Sequence, residues 1–136
     1  MKKIKILIPL DGTERSMHSI DWLKKLFNKE EVEVTLMNVT EIVIVNDMII
    51  TDEVDRAQLA SESILDKAKE EIKDYKVDTF FTFGYASDEI LKKASQDNFN
   101  IIIMTKSTKK GLARMVGSVT SKVVKNSRQL VIIVPE

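Results

Sequence analysis

The sequence predicts an α/β fold, an open sheet of five parallel strands with helices on both faces. Five short segments are rich in β-branched or aromatic residues and bounded by polar, Gly or Pro residues. Helical periods lie between them, so strand and helix alternate along the whole chain. Continuous apolar runs such as Ile101-Ile102-Ile103-Met104 suit strands covered on both faces, as parallel strands are.

The first strand segment is Ile4 to Ile8. Met17, Ile20, Leu23 and Phe27 follow at three- and four-residue spacing, one face of a helix. Val32 to Val39 is the second strand. A longer helix follows, marked by Ala57, Ser61, Ile64, Leu65, Ala68, Ile72 and Tyr75. Thr79 to Phe83 is the third strand. Ile90, Leu91 and Ala94 mark the next helix, with Ser87 as its expected N-cap and Asp88 and Glu89 in its first turn, where carboxylates suit the helix dipole. Ile101 to Met104 is the fourth strand. Val119, Val123 and Val124 mark a last helix, and Leu130 to Val134 is the fifth strand. Right-handed crossovers then join parallel strands throughout. One stretch breaks the alternation. Glu41 to Thr51 is strongly apolar, and Asn46-Asp47 suits the tight turn of a small hairpin. Its apolar residues need a cover: the chain's own helices, or an oligomer contact or flap over a site.

Composition narrows the function. The chain has 136 residues and reads as one domain over 1–136, with no linker or repeat. Lys plus Arg is 21 and Asp plus Glu is 21, so no net charge draws it to nucleic acid or to an anionic membrane. Without cysteine there is no disulfide, thiolate metal site or Cys nucleophile. A single histidine, His18, lies early in the first helix with no evident nucleophile beside it. No apolar run approaches the roughly 20 residues that span a bilayer. The basic start has no signal-peptide pattern. A cytoplasmic protein is expected.

Chemistry is expected at the carboxyl ends of the strands. The first strand runs into Pro9-Leu10-Asp11-Gly12-Thr13. Asp11 there either accepts from a ligand's N–H or O–H groups or caps the following helix. After the fourth strand, a long segment from Thr105 to Val116 carries Lys106, Lys109, Lys110 and Arg114 and leads into Gly117-Ser118-Val119-Thr120. Free N–H groups at a helix start, a glycine and two hydroxyls make an anion site; the alternative is a solvated basic loop with Ser118 as an ordinary N-cap. No Walker A pattern is present. A phosphoacceptor receiver domain would need clustered acids after the first strand and an Asp ending the third, and this sequence has neither. Trp22 and the phenylalanines read as core.

Three stretches resemble the universal stress protein family: Ile6 to Ser16, Gly84 to Leu91, and Gly117 to Val124 followed by Leu130 to Pro135. The likeness covers essentially the whole chain. It implies a Rossmann-like, adenine nucleotide alpha hydrolase-like sheet in the order 3-2-1-4-5. It also implies a homodimer joined through the last strand, Leu130, Val131, Ile132, Ile133 and Val134. Some members bind ATP through G-x2-G-x9-G-[ST]. By that resemblance Asp11, with Pro9 and Leu10 before it, and Val39 face the adenine and ribose, and Gly117, Ser118, Val119 and Thr120 face phosphate. The first half of the motif has no counterpart: Met104 and Ser107 stand at the earlier glycines, or Thr105 at the first if the loop is one residue shorter. The expectation is a dimeric regulatory module with a degenerate nucleotide site, poor at ATP binding, with no committed cofactor. It is not an enzyme beyond slow ATP hydrolysis at most, and its protein partners are unidentified. The alternative is an ATP-binding switch.

Overall fold

The computed structural model describes residues 2–41, 44–45, 48–49, 51–106 and 117–135; for 44–45, 48–49 and 51–53 it describes the backbone alone. In chain order the elements are β1 (Ile4–Pro9), a 3-10 turn (Arg15–Met17), α1 (His18–Leu26), β2 (Val32–Thr40), β3 (Ile44–Val45), β4 (Met48–Ile49), α2 (Thr51–Glu71), β5 (Lys76–Phe83), α3 (Ala86–Gln96), β6 (Ile101–Thr105), α4 (Ser118–Asn126) and β7 (Leu130–Val134).

The main sheet runs β5-β2-β1-β6-β7 and is parallel throughout, the order 3-2-1-4-5 once the small hairpin is set aside. The chain builds outward from β1 through β2 to β5, then returns to the other side of β1 with β6. The order therefore reverses between β1 and β6, and the crevice beyond their carboxyl ends is where such a sheet takes a ligand.

Alternation along β1 decides the two cores. Ile6 and Ile8 face one side with Ile20 and Leu23 of α1 and Leu65 and Ala68 of α2. Leu7 faces the other with Ile90 and Ala94 of α3 and Val123 of α4. Ile6, Leu7 and Ile8 are all fully buried, so β1 is covered on both faces. Each such side chain is worth roughly 1.5–3 kcal/mol of burial, and this fixes which helix lies on which face.

Several boundaries depart from the sequence expectation. The third main strand starts at Lys76, not Thr79, because Glu33, Val34 and Thr35 of β2 pair with Lys76, Val77 and Asp78. An edge strand can carry polar residues there, and Lys76 forms an ion pair with Glu33 at 3.1 Å. Tyr75 lies beyond the end of α2, where its hydroxyl donates to the Phe27 carbonyl at 2.7 Å. Tyr85, not Ser87, occupies the N-cap of α3, so Ser87 lies buried in the first turn. The expected hairpin is present: Ile44 pairs with Ile49 and Val45 with Met48, antiparallel. Its turn, Asn46-Asp47, and the burial of its side chains lie outside the described residues.

Candidate functional site

At the end of β1 the chain turns through Asp11. One carboxylate oxygen, Oδ1, accepts from Thr13 N–H at 3.0 Å and from the Thr13 hydroxyl at 2.6 Å. The Thr13 oxygen in turn accepts from Ser16 N–H at 3.1 Å, and the Ser16 hydroxyl donates to the Thr13 carbonyl at 2.8 Å. Asp11 thus acts one step removed from the cap: it orients Thr13, and Thr13 caps the 3-10 turn. The carboxylate stays exposed at the sheet's edge. Gly12 makes this turn at φ +88, and a Cβ there would come within 2.9 Å of Ile64 Cδ1 on α2. Just before it, Leu10 is held at both backbone groups. Its N–H donates to the Met37 carbonyl at 2.7 Å and its carbonyl accepts from the buried Asn38 amide at 2.7 Å.

The carboxyl ends of β1, β2 and β6 and the first turns of α3 and α4 enclose a cleft of about 610 Å³, part of it open to solvent. Pro9, Leu10, Asp11, Val39, Val119 and Thr120 line it, six of the eight residues expected from the sequence. The other lining residues are Ser16, Met37, Ala86, Ile90, Met104 and Thr105. The cleft is therefore apolar along most of its wall, with one carboxylate among the described residues. Among the described residues Asp11 is the only titratable side chain on its lining.

Gly117 and Ser118 stand to the side. Gly117, not Ser118, is the N-cap of α4; its N–H donates to the Lys106 carbonyl at 2.9 Å and no side chain caps the helix. Ser118 is the first helical residue and lines an adjoining groove with Val119. The Thr120 hydroxyl donates to the Thr105 carbonyl at 3.0 Å, so its proton serves the fold rather than a ligand. Met104 and Thr105, at positions where the resemblance would put a glycine, continue β6 in register with Ile133 and Val134 of β7. Neither has a positive φ. The backbone follows an ordinary strand here, with no positive φ to strain either side chain. Ser107, Lys109, Lys110 and Arg114 lie outside the described residues.

Some of the missed lining residues had a signal. Met37 lies two positions before Val39 and shares its face of β2; Ala86 and Ile90 are one helical turn apart on α3. Met104 and Thr105 had one in the motif alignment, where they stand at an early glycine; Ser16 had none, because its place depends on how the turn after β1 meets the cleft. Among the described residues no three His, Asp or Glu side chains gather to hold a metal, and no helix is long and apolar enough to cross a membrane.

The family model described as "Universal stress protein family" matches residues 4–135. Among solved structures, hypothetical protein MJ0577 is 26% identical with a TM-score of 0.84, covering 100% of this chain and 98% of its own. A universal stress protein in complex with cAMP is 16% identical with a TM-score of 0.75, covering 99% of this chain and 98% of its own. A universal stress protein family protein from Arabidopsis thaliana, with AMP bound, is 13% identical with a TM-score of 0.67, covering 98% of this chain and 92% of its own. Among curated proteins none matches.

Proposed function

As the chain belongs to the universal stress protein family, we propose that it is a regulatory module that takes an adenine nucleotide in the cleft beyond β1, β2 and β6, and holds a triphosphate poorly. The observation that carries this reading is the convergence of Pro9, Leu10, Asp11, Val39, Val119 and Thr120 on one mostly apolar cleft at the reversal of strand order. Apolar walls suit a purine face, and the Asp11 carboxylate suits amino or hydroxyl donors of base or ribose. The fold likeness to proteins solved with cAMP and AMP supports the same ligand class. The phosphate side argues against a tight triphosphate grip, since β6 continues as a paired strand through Thr105 and Thr120 has spent its proton.

The module works by occupancy rather than turnover. Among the described residues a single carboxylate lines the cleft, which supplies no acid–base pair. It acts in the cytoplasm as a homodimer joined through β7, with partner proteins reading the occupied state. Isothermal titration tests the ligand. Mg-ATP should bind more weakly than about 0.1 mM, equivalent to about 5.5 kcal/mol, and Asp11→Ala should weaken AMP binding further. Low-micromolar ATP affinity would overturn this reading in favour of an ATP-dependent switch.

A further inference from the structure

Asp11 puts a negative charge on a cleft whose other described lining residues are uncharged. A groove opens beside it, sharing Ala86 and Val119 with the cleft, and the charged residues on that groove are Glu41, Asp88 and Lys122. Two carboxylates against one ammonium give the groove a formal charge of −1; with Asp11 the two spaces together carry −2 among the described residues. Lys122 is committed to Asp88, with Nζ 2.9 Å from Oδ1. Neutral donors on this side are also occupied. Gly117 N–H donates to the Lys106 carbonyl and the Thr120 hydroxyl to the Thr105 carbonyl, while β6 stays in register with β7 through Thr105. Asp11 itself suits the opposite kind of ligand atom. Its Oδ1 takes the N–H and hydroxyl of Thr13. An ionised carboxylate has about four acceptor positions, so room remains for neutral N–H or O–H donors. Met37, Ile90 and Met104 offer an apolar wall to the flat face of a base.

We infer that the cleft selects nucleoside over nucleotide by charge: its preferred ligand is the uncharged adenine nucleoside, and even one phosphate lowers affinity. That the base is adenine rests on the nucleotide reading above; the discrimination against phosphate rests on the charges. A phosphomonoester carries about −1.5 to −2 at pH 7. Placed where the cleft opens into the groove, it would stand between Asp11 on one side and Glu41 and Asp88 on the other. To meet it, Lys122 would have to leave Asp88. The repulsion is Coulombic, so water and salt weaken it without changing its sign. The same Asp11 carboxylate that repels a phosphate accepts from the amino and hydroxyl groups of a nucleoside, so a single residue contributes to both halves of the selection.

The test is calorimetric titration of the full chain with adenosine and with AMP, in magnesium-free buffer at low and at high salt. Adenosine should bind at least about threefold more tightly than AMP at low salt, and the gap should narrow as salt rises. Glu41→Gln removes a groove charge, and Asp88→Asn releases Lys122. Each should strengthen AMP binding about threefold and leave adenosine binding unchanged, a gain that structural damage would not give. AMP binding as tightly as adenosine, or more tightly, would overturn the inference and leave the adenine reading standing. A preference for adenosine that neither salt nor the two variants alter would overturn charge as the basis of selection. Failure of both ligands to bind would overturn the adenine reading, and this inference with it.

Discussion

The side-chain amide of Asn38 donates to the carbonyl oxygen of Leu10 at 2.7 Å, across the boundary between β2 and β1. Asn38 is 5% exposed, a polar residue placed inside an apolar strand to hold the chain as it leaves β1. The next residue is Asp11. Asn38→Leu would leave the Leu10 carbonyl buried without a partner and should cost about 1–3 kcal/mol, read from urea unfolding. Nucleotide affinity should fall in parallel, because the direction of Asp11 depends on that tether. Unchanged stability and binding would show that the amide is dispensable.

Gly12 is held by two constraints, a left-handed φ of +88 and the Ile64 side chain 2.9 Å from where a Cβ would stand. Gly12→Ala should destabilise by about 1–2 kcal/mol from backbone strain alone, with a further contact penalty. Measured in the Ile64→Ala background, the contact part should disappear and the backbone part remain. Fully additive costs in the double mutant would show that Ile64 does not press on this turn.

Ser61 lies in α2, 1% exposed, with its hydroxyl sealed and unpaired among the described residues. Ser61→Ala removes that polar atom and favours the helix, so a gain of about 1 kcal/mol is expected. Calorimetry should show a higher Tm. A lower one would point to a bound water serving the hydroxyl.

Among the described residues a source of acid sensitivity lies at the end of α3. The hydrogen bond from Lys93 holds the Asp97 carboxyl below its ordinary range. A carboxylate depressed in the folded state adds stability above its unfolded pKa, near 3.9 in peptides, and loses it as pH falls through the lower folded value. Denaturant midpoints measured from neutral pH downward should fall less steeply near pH 4 and below, in Asp97→Asn than in the wild type. Equal slopes would show that Asp97 does not contribute.

The dimer proposal rests on β7. It is an edge of the sheet with Leu130 63% exposed, and its N–H and C=O groups on one side meet no other described strand. Two copies can pair these edges antiparallel in a closed, isologous contact. Ile132→Pro removes a ladder donor and should split or weaken the dimer. Light scattering decides: a monomeric wild type at micromolar concentration, or a folded mutant still fully dimeric, would place the interface elsewhere.

The alternation of strand and helix was readable because parallel strands buried on both faces leave continuous apolar runs, as in Ile101 to Met104. The start of β5 was not, because Lys76 to Asp78 lie on an edge, where polar side chains are tolerated and no apolar pattern is imposed. Of the six expected residues that line the cleft, Asp11 and Thr120 were legible from their places at a strand end and a helix start, while Val39 and the grouping of all six into one site came from the family resemblance. Asn38 was invisible, because it is a polar residue whose meaning depends on what stands opposite it, the Leu10 carbonyl. Sequence spacing reports the face of one element; it does not report which two elements meet.

The central position of β1 has a consequence for synthesis. β1 pairs with β2 on one side and β6 on the other, yet about ninety residues separate β1 from β6. A nascent chain that has emerged through β5 can assemble β5-β2-β1, but the second edge of β1, with Ile6, Leu7 and Ile8, stays open until Ile101 to Thr105 leaves the ribosome. At roughly 5–20 residues per second that interval lasts seconds. During it the central strand of the finished sheet is a bare apolar edge, the form most prone to pair with the wrong chain. The polar residues Lys76 and Asp78 blunt the opposite edge of the same intermediate, so the hazard lies on one side, where a chaperone would need to act.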